Sequence, residues 1–305
     1  MNWRVKGVVQ GVLSMVPGGR IINNCLQTTL GSLRDFDANV DAKVTGDWLV
    51  LVAHMQQLGV RPQNLDYVEV GTGWYPALPI CFWLAGARSC RTFDITRHLN
   101  HKMTFRMLGR LEHYLPAIAE ASFRPLAEVQ AAYASLRNAK TTEEMLRTAR
   151  IEYLAPHDAA DTGLPDSSVD VVFSNSVLEH VPTDAILRIM RETRRILRKS
   201  GLAIHSANCG DHYAYFDHSI TPVNYLKYPA QQWSKWNNSL LYQNRLRPSD
   251  FINLAEQSGL RIVLHESKPN PQLLSVLPTL TIAPEFRRYP PEQLASTSID
   301  FVAQA

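Results

Sequence analysis

Histidines, acids and aromatics crowd two short stretches of this 305-residue chain. One is Leu178-Glu179-His180-Val181, and the other is the run Cys209-Gly210-Asp211-His212-Tyr213-Ala214-Tyr215-Phe216-Asp217-His218. Imidazole is the side chain whose ordinary pKa lies closest to neutrality. His180, His212 and His218, with Asp217 beside them, are therefore candidates to take a proton from a hydroxyl or amine. Tyr213, Tyr215 and Phe216 could pack an aromatic or acyl molecule, and Trp233 and Arg245, farther along the same aromatic stretch, could close over it. The competing reading of these residues is a loop that satisfies its own polar groups over a satellite core. No metal is expected, because no second pair of ligands has the spacing of a known site. The four cysteines, Cys25, Cys81, Cys90 and Cys209, contain no CxxC pair.

A second constellation is built to approach a ligand closely. Tyr67-Val68-Glu69-Val70 reads as a strand and runs straight into Gly71-Thr72-Gly73. Glycines there supply the turn and leave out the Cβ that would keep a nucleoside away. A dinucleotide fingerprint wants a third glycine three residues on, where a helix N-terminus meets a pyrophosphate, but this chain has Pro76 there, with Trp74 and Tyr75 crowding the turn. The break disfavours a nicotinamide dinucleotide. Asp94 ends the next strand, where a carboxylate can accept from both ribose hydroxyls, or else cap the following helix. Asp158, in His157-Asp158-Ala159, follows the third strand and can accept from an adenine amino group, or else belong to a surface loop.

These residues need elements to hold them. Strand signals recur at 91–95, 151–154, 169–173, 202–206 and 261–266, with an amphipathic helix over 184–198. Alternation of this kind predicts an α/β fold with a doubly wound, mainly parallel sheet. A last strand over 294–303, after a Pro-rich connection, is expected to insert antiparallel. The stretch 98–149 reads as inserted helices, with Thr141 and Glu144 in a capping-box pattern. Residues 1–60 read as an N-terminal helical cap on a domain spanning 61–305, with insertions at about 98–149 and 209–247. In the first helix Val5, Val8, Val9, Val12, Leu13 and Val16 fall on one stripe that is expected to pack on the domain, with a lid or a membrane-surface contact as alternatives.

The pattern resembles the class I S-adenosylmethionine-dependent methyltransferases, and most closely their small-molecule type called methyltransferase type 11. The residues that carry the resemblance are Val68-Glu69-Val70-Gly71-Thr72-Gly73, Asp94, and the run from Gly163-Leu164-Pro165-Asp166 to Leu178-Glu179-His180-Val181. The helix Arg188–Arg198 and its turn Lys199-Ser200-Gly201 add to it, with Lys-Ser in place of the commoner Pro-Gly. The resemblance spans about residues 65–210. It implies a Rossmann-like seven-stranded sheet and S-adenosylmethionine as cofactor, with S-adenosylhomocysteine as product. Gly71 and Gly73, with Thr72 and Trp74, would lie near the methionine part. Asp94 and Ile95 would meet the ribose, and Asp158 and Ala159 the adenine. Glu69 would orient the glycine loop or the amino group, and Ser174 and Asn175 would line the floor.

The expected reaction is methyl transfer to an O or N atom of a small molecule, by in-line displacement in which the protein mainly positions the acceptor and a His base assists. A protein or RNA methyltransferase and a non-catalytic binding scaffold are the alternatives. With 45% hydrophobic and 19% charged residues and a net charge of +3, the chain can bury a large core and lacks the strong basic excess of a nucleic-acid binder. Arg188, Arg191, Arg194, Arg195 and Arg198 are spaced as the solvated face of a helix. With no transmembrane segment and no disulfide framework, the expected setting is the cytoplasm, as a monomer or homodimer.

Overall fold

The computed structural model describes residues 2–19, 22 and 35–305. Within it seven segments pair into one sheet: β1 (Asp66–Val70), β2 (Ser89–Phe93), β3 (Ile151–Leu154), β4 (Val169–Asn175), β5 (Leu197–Asn208), β6 (Arg261–Glu266) and β7 (Ser298–Gln304). Their order is β3-β2-β1-β4-β5-β7-β6. β1 to β5 are mutually parallel, and β7 lies antiparallel between β5 and β6. The antiparallel insertion of the last strand is as expected, but the strand starts later. Leu294 belongs to the short helix Pro291–Ala295, which Pro290 and Pro291 initiate.

Side chains alternate across the sheet as a two-residue period requires. Tyr67, Phe173, Leu202 and Ile204 enter one core layer, while Val68, Val70, Val172 and Ala203 enter the other. The first layer lies under α2 (Phe36–Ala42), α3 (Leu49–Gln57), α4 (Ala77–Leu84) and the inserted helices α5 (His101–Leu111), α6 (Leu115–Ser122), α7 (Leu126–Arg137) and α8 (Thr142–Thr148). The second is covered by α9 (Thr183–Ile196) and α10 (Pro248–Gln257). Thr141 caps α8 by accepting from the Glu144 N–H at 3.1 Å, whereas the Glu144 carboxylate reaches back one residue further, to the N–H of Lys140 at 2.7 Å.

Between α2 and α3 the chain forms a π-helix, Lys43–Trp48. Two sequence expectations change. Arg198 lies in β5, not on α9, and its guanidinium pairs with Asp170 at 2.6 Å. On α1 (Trp3–Met15) the valine stripe faces outward: Val5, Val8, Val9, Val12 and Val16 are exposed, and the buried residues are Trp3, Gly7 and Gln10. The reason is local. Trp3 sits against Tyr213, Tyr228, Trp233 and Trp236, with ring centroids 5.1–6.4 Å away. At Gly7 a Cβ would approach Trp236 to 2.9 Å and the Tyr213 hydroxyl to 3.0 Å, so one large ring and one missing side chain set the docking face. These aromatics form a third, satellite core with Val223, Tyr225, Leu226 and Phe286. Cys25 lies outside the described residues; Cys81, Cys90 and Cys209 are buried free thiols. Among the described residues no helix is long and apolar enough to cross a membrane.

Candidate active site

Strand order reverses at β1, which has β2 on one side and β4 on the other. In open α/β sheets the carboxyl ends of the strands at such a point frame a crevice. Here a cleft of about 290 Å³ opens there, lined by Val70, Gly71, Phe93, Asp94, Ile95, His157, Asp158, Ala159, Val177, His180 and the start of α9. Of the residues singled out in the sequence, Gly71, Asp94, Ile95, Asp158, Ala159 and His180 are thus brought together.

Gly71 and Gly73 adopt φ +85° and +70°, the left-handed region that favours glycine. A Cβ on Gly71 would overlap the Val177 side chain, so the turn after β1 and the loop after β4 touch at backbone distance. Asp94 ties the turn to β2: one carboxylate oxygen accepts from the Gly73 N–H at 3.1 Å and the other from the Thr96 N–H at 3.0 Å. Each oxygen keeps a further lone pair for an incoming hydroxyl. Asp158 accepts from the Ala160 N–H at 2.9 Å, which shapes its own loop, and remains exposed at the cleft rim.

Glu69 points into the layer beneath the turn. Its carboxylate accepts from the Thr92 hydroxyl at 2.5 Å, and Thr92 in turn meets the Thr72 hydroxyl. Burial pushes Glu69 up to about 8, against the pull of the Thr92 hydrogen bond and the Lys43 ammonium. Lys43, on the π-helix, acts on Glu179 as well. Thr72 therefore faces its hydroxyl partner, and Trp74 packs on His98 with centroids 5.4 Å apart; neither lines the cleft. Ser174 is fully buried and engages His205 Nδ1 at 2.8 Å, so it does not line a floor. Asn175 is buried on the opposite face with its Oδ1 unpartnered.

His180 does not begin a helix. It ends a 3-10 turn, Leu178–His180, and α9 starts after Pro182. The aromatic insertion clasps this turn. The Asn244 amide donates to the carbonyls of Leu178 at 2.7 Å and Val181 at 2.9 Å, and the Asn244 N–H donates to the Glu179 carbonyl at 2.9 Å. His180 Nδ1 donates to the Tyr242 carbonyl at 2.8 Å, leaving Nε2 with its lone pair. Although the ring is exposed at the cleft mouth, its crowded surroundings hold its pKa below the usual value. The His212 ring stands 4.9 Å from it, and Tyr215 lies 5.5 Å from His212. Burial pushes His212 down to about 3, so its imidazole is neutral. Burial likewise pushes Glu179 up to about 8. One candidate ligand atom each from Glu179, His180 and His212 lies within 4.8 Å of the other two. Local sequence carries no signal for Glu179, because its neighbour in space, His212, is far along the chain.

The remaining acceptor candidates have other work. The Asp217 carboxylate accepts from the Trp3 N–H at 2.9 Å and from Ser219, whose hydrogen bonds hold its pKa below the usual range; it anchors α1 and is a poor base. The Tyr213 hydroxyl donates to the Trp236 carbonyl at 2.8 Å, and the Tyr213 and Trp233 rings are buried in the satellite core. Arg245 is buried between Trp233 and Phe286, and its guanidinium donates to the carbonyls of Tyr225 and Tyr228. It serves the insertion's fold, and so does Arg247, which is fully buried and donates to the Cys209 and Gln293 carbonyls at 2.8 and 2.7 Å. Tyr215 is exposed, Phe216 packs under the Lys6 ammonium, and His218 is exposed, outside the cleft lining.

Residues 119–205 match the Methyltransf_11 family model, a methyltransferase domain. The match takes in β3, β4, His180 and most of β5, and begins after the glycine turn and Asp94. Solved structures to which the chain is similar include an S-adenosylmethionine-dependent methyltransferase from Mesorhizobium loti, 16% identical over 83% of this chain and 96% of that one with a TM-score of 0.42. Magnesium protoporphyrin IX methyltransferase from Synechocystis PCC 6803 is 14% identical over 88% of this chain and 83% of that one, with a TM-score of 0.44. Geranyl diphosphate methyltransferase is 11% identical over 96% and 94%, with a TM-score of 0.46. No curated protein sequence matches the chain. Within this chain, the methyltransferase-domain match therefore falls on the part of the sheet that carries β3, β4 and most of β5, beside the cleft at the β1–β4 switch point.

Proposed function

We propose that the chain methylates an O or N atom of a small-molecule acceptor bound between the cofactor cleft and the loop at His212. The observation that carries this reading is the convergence of Gly71, Asp94, Ala159 and His180 on one cleft, with His212 and Tyr215 beside it. The cleft fits the cofactor: Asp94 has lone pairs free for ribose hydroxyls, Ile95 and Ala159 offer apolar surface to a base, and Glu69 stands beneath the turn to steady it. When bound, S-adenosylmethionine supplies an activated sulfonium methyl.

The protein's own part is positioning. The Asn244 clasp and the hydrogen bond to the Tyr242 carbonyl fix the His180 ring, so that Nε2 can accept the hydrogen bond of an acceptor O–H or N–H. Tyr215, exposed beside His212, offers a flat wall to an aromatic or acyl group. The Asn244 clasp on the turn that carries His180 supports a small molecule over a polypeptide or RNA chain as acceptor. Buried free thiols accord with a reducing cytoplasm as the place of action.

Calorimetric titration with S-adenosylmethionine, S-adenosylhomocysteine and NAD tests the cofactor half. Binding of the first two alone is expected, and Asp94→Ala should weaken it by about 1.5–3 kcal/mol, the worth of charge-assisted hydrogen bonds. Methyl transfer from labelled cofactor to a panel of phenols, carboxylates and amines tests the acceptor half. Transfer only to protein or RNA would overturn the small-molecule reading.

A further inference from the structure

Two polar side chains beside the cleft are more than nine-tenths buried and lack a partner for one atom. Glu179 is 1% exposed and its Oε2 is unpartnered; His212 is 7% exposed and its Nε2 is unpartnered. An unpaired buried carboxyl oxygen and an unpaired buried imidazole nitrogen are each costly, so a group that satisfies both at once is expected to sit between them. His180 completes the set, with one ligand atom from each of the three within 4.8 Å of the others.

We propose that Glu179, His180 and His212 form a site for a divalent first-row transition ion of the zinc type, which holds the acceptor's oxygen next to the cofactor cleft. The donor set is two neutral imidazoles and one buried carboxyl, which releases its proton to solvent when an ion takes its place; this chemistry suits such ions and leaves a coordination position open for a further oxygen. Bonds of about 2.0–2.2 Å place ligand atoms about 3–4 Å apart, so the side chains need to close by roughly an ångström. The outer partners are those a metal-ligating histidine uses: Nδ1 of His180 donates to the Tyr242 carbonyl, which fixes the tautomer and turns Nε2 into the ligand. Asn244 holds the backbone on both sides of Glu179 and His180, and the Gln243 side chain accepts from the His212 N–H at 3.3 Å. The spacing in sequence gave no hint of this, because the ligands come from the turn after β4 and the loop after β5. The role of the ion toward the acceptor rests on the methyltransferase reading above; the ion site itself does not. With the ion bound, the acceptor's oxygen meets the cation in place of a bare His180 imidazole.

The test uses the full-length protein, stripped with a chelator and titrated with zinc chloride by calorimetry and with cobalt(II) chloride by visible absorption. One equivalent is expected to bind at micromolar concentration or tighter, and cobalt should give d–d bands of a low-coordinate N/O site. Glu179→Gln and His212→Ala should each raise the dissociation constant at least tenfold. Thermal melting and S-adenosylmethionine titration check that the variants are folded. If these buried substitutions melt early, His180→Ala, at an exposed ring, takes their place with the same expected loss. No ion binding, or binding unchanged across the variants, overturns the site while intact cofactor binding leaves the enzyme reading standing. Ion binding without cofactor binding upholds the site and overturns that reading.

Discussion

Gly71 and Gly73 both sit at positive φ, yet a methyl group would meet different surroundings at each. At Gly71 it would collide with Val177; at Gly73 nothing stands within 4 Å. Gly73→Ala should therefore cost only the backbone strain of a left-handed residue, about 1–2 kcal/mol. Gly71→Ala adds displacement of the loop after β4 and should cost more than that in denaturant unfolding, and lose cofactor affinity by at least tenfold. Equal effects of the two substitutions would show that the Val177 contact is unimportant. Asp94 acts at the same scale with two tasks, closing the turn through Gly73 and offering lone pairs to the cofactor. Asp94→Asn should thus retain more stability than Asp94→Ala while still weakening cofactor binding.

Among the elements, α1 is the one whose attachment is most local. It is held by the Trp3 ring in the satellite core, by the hydrogen bond from the Trp3 N–H to Asp217, and by the close approach at Gly7. Trp3→Ala should remove about 3–5 kcal/mol of local stability, the usual cost of deleting a buried large aromatic. Gly7→Leu should dislodge the helix without removing any contact. Hydrogen exchange should report both as faster exchange over α1 and the loop at 212–236, with the central strands unaffected. Fast exchange throughout the sheet would instead make α1 part of the global fold. The segment after β4 is the counterpart element: Asn244, from a distant insertion, holds its 3-10 turn, a contact that local sequence pattern does not reveal.

For the whole molecule the buried carboxyl of Glu69 has a consequence for stability against pH. Burial raises it to about 8, far above the unfolded value of about 4.3. Between those limits the folded state keeps a proton that the unfolded chain has released, so native binds more protons and stability falls as pH rises through the window. Its contribution is most favourable at and below the lower limit and levels off above about 8. Glu69→Gln in the unliganded protein should flatten this decline, narrowing the difference in Tm between pH 5 and pH 8 by several degrees, equivalent to roughly 2–4 kcal/mol. Parallel declines in the two proteins would place the proton elsewhere.

Local pattern alone determined much of this molecule. Runs such as Val169–Phe173 and Leu202–Ser206 are apolar, short and separated by an amphipathic helix, which is sufficient to specify parallel strands with helices on both faces. Gly71, Gly73 and Asp94 are recognisable because their chemistry is tied to strand ends, and strand ends are visible in sequence. What tertiary structure decided involves residues far apart in the chain. The exposed side of α1 follows from the rings that Trp3 and Gly7 meet, and periodicity carries no information about which face finds a partner. Arg245, Trp233 and Asp217 have the residue types of a binding site, but the carbonyls, rings and N–H groups that occupy them come from the rest of the insertion and from α1. Glu179 and His212 face each other only because β4 and β5 are neighbours in the sheet, whose parallel register brings the loops after both strands to one edge.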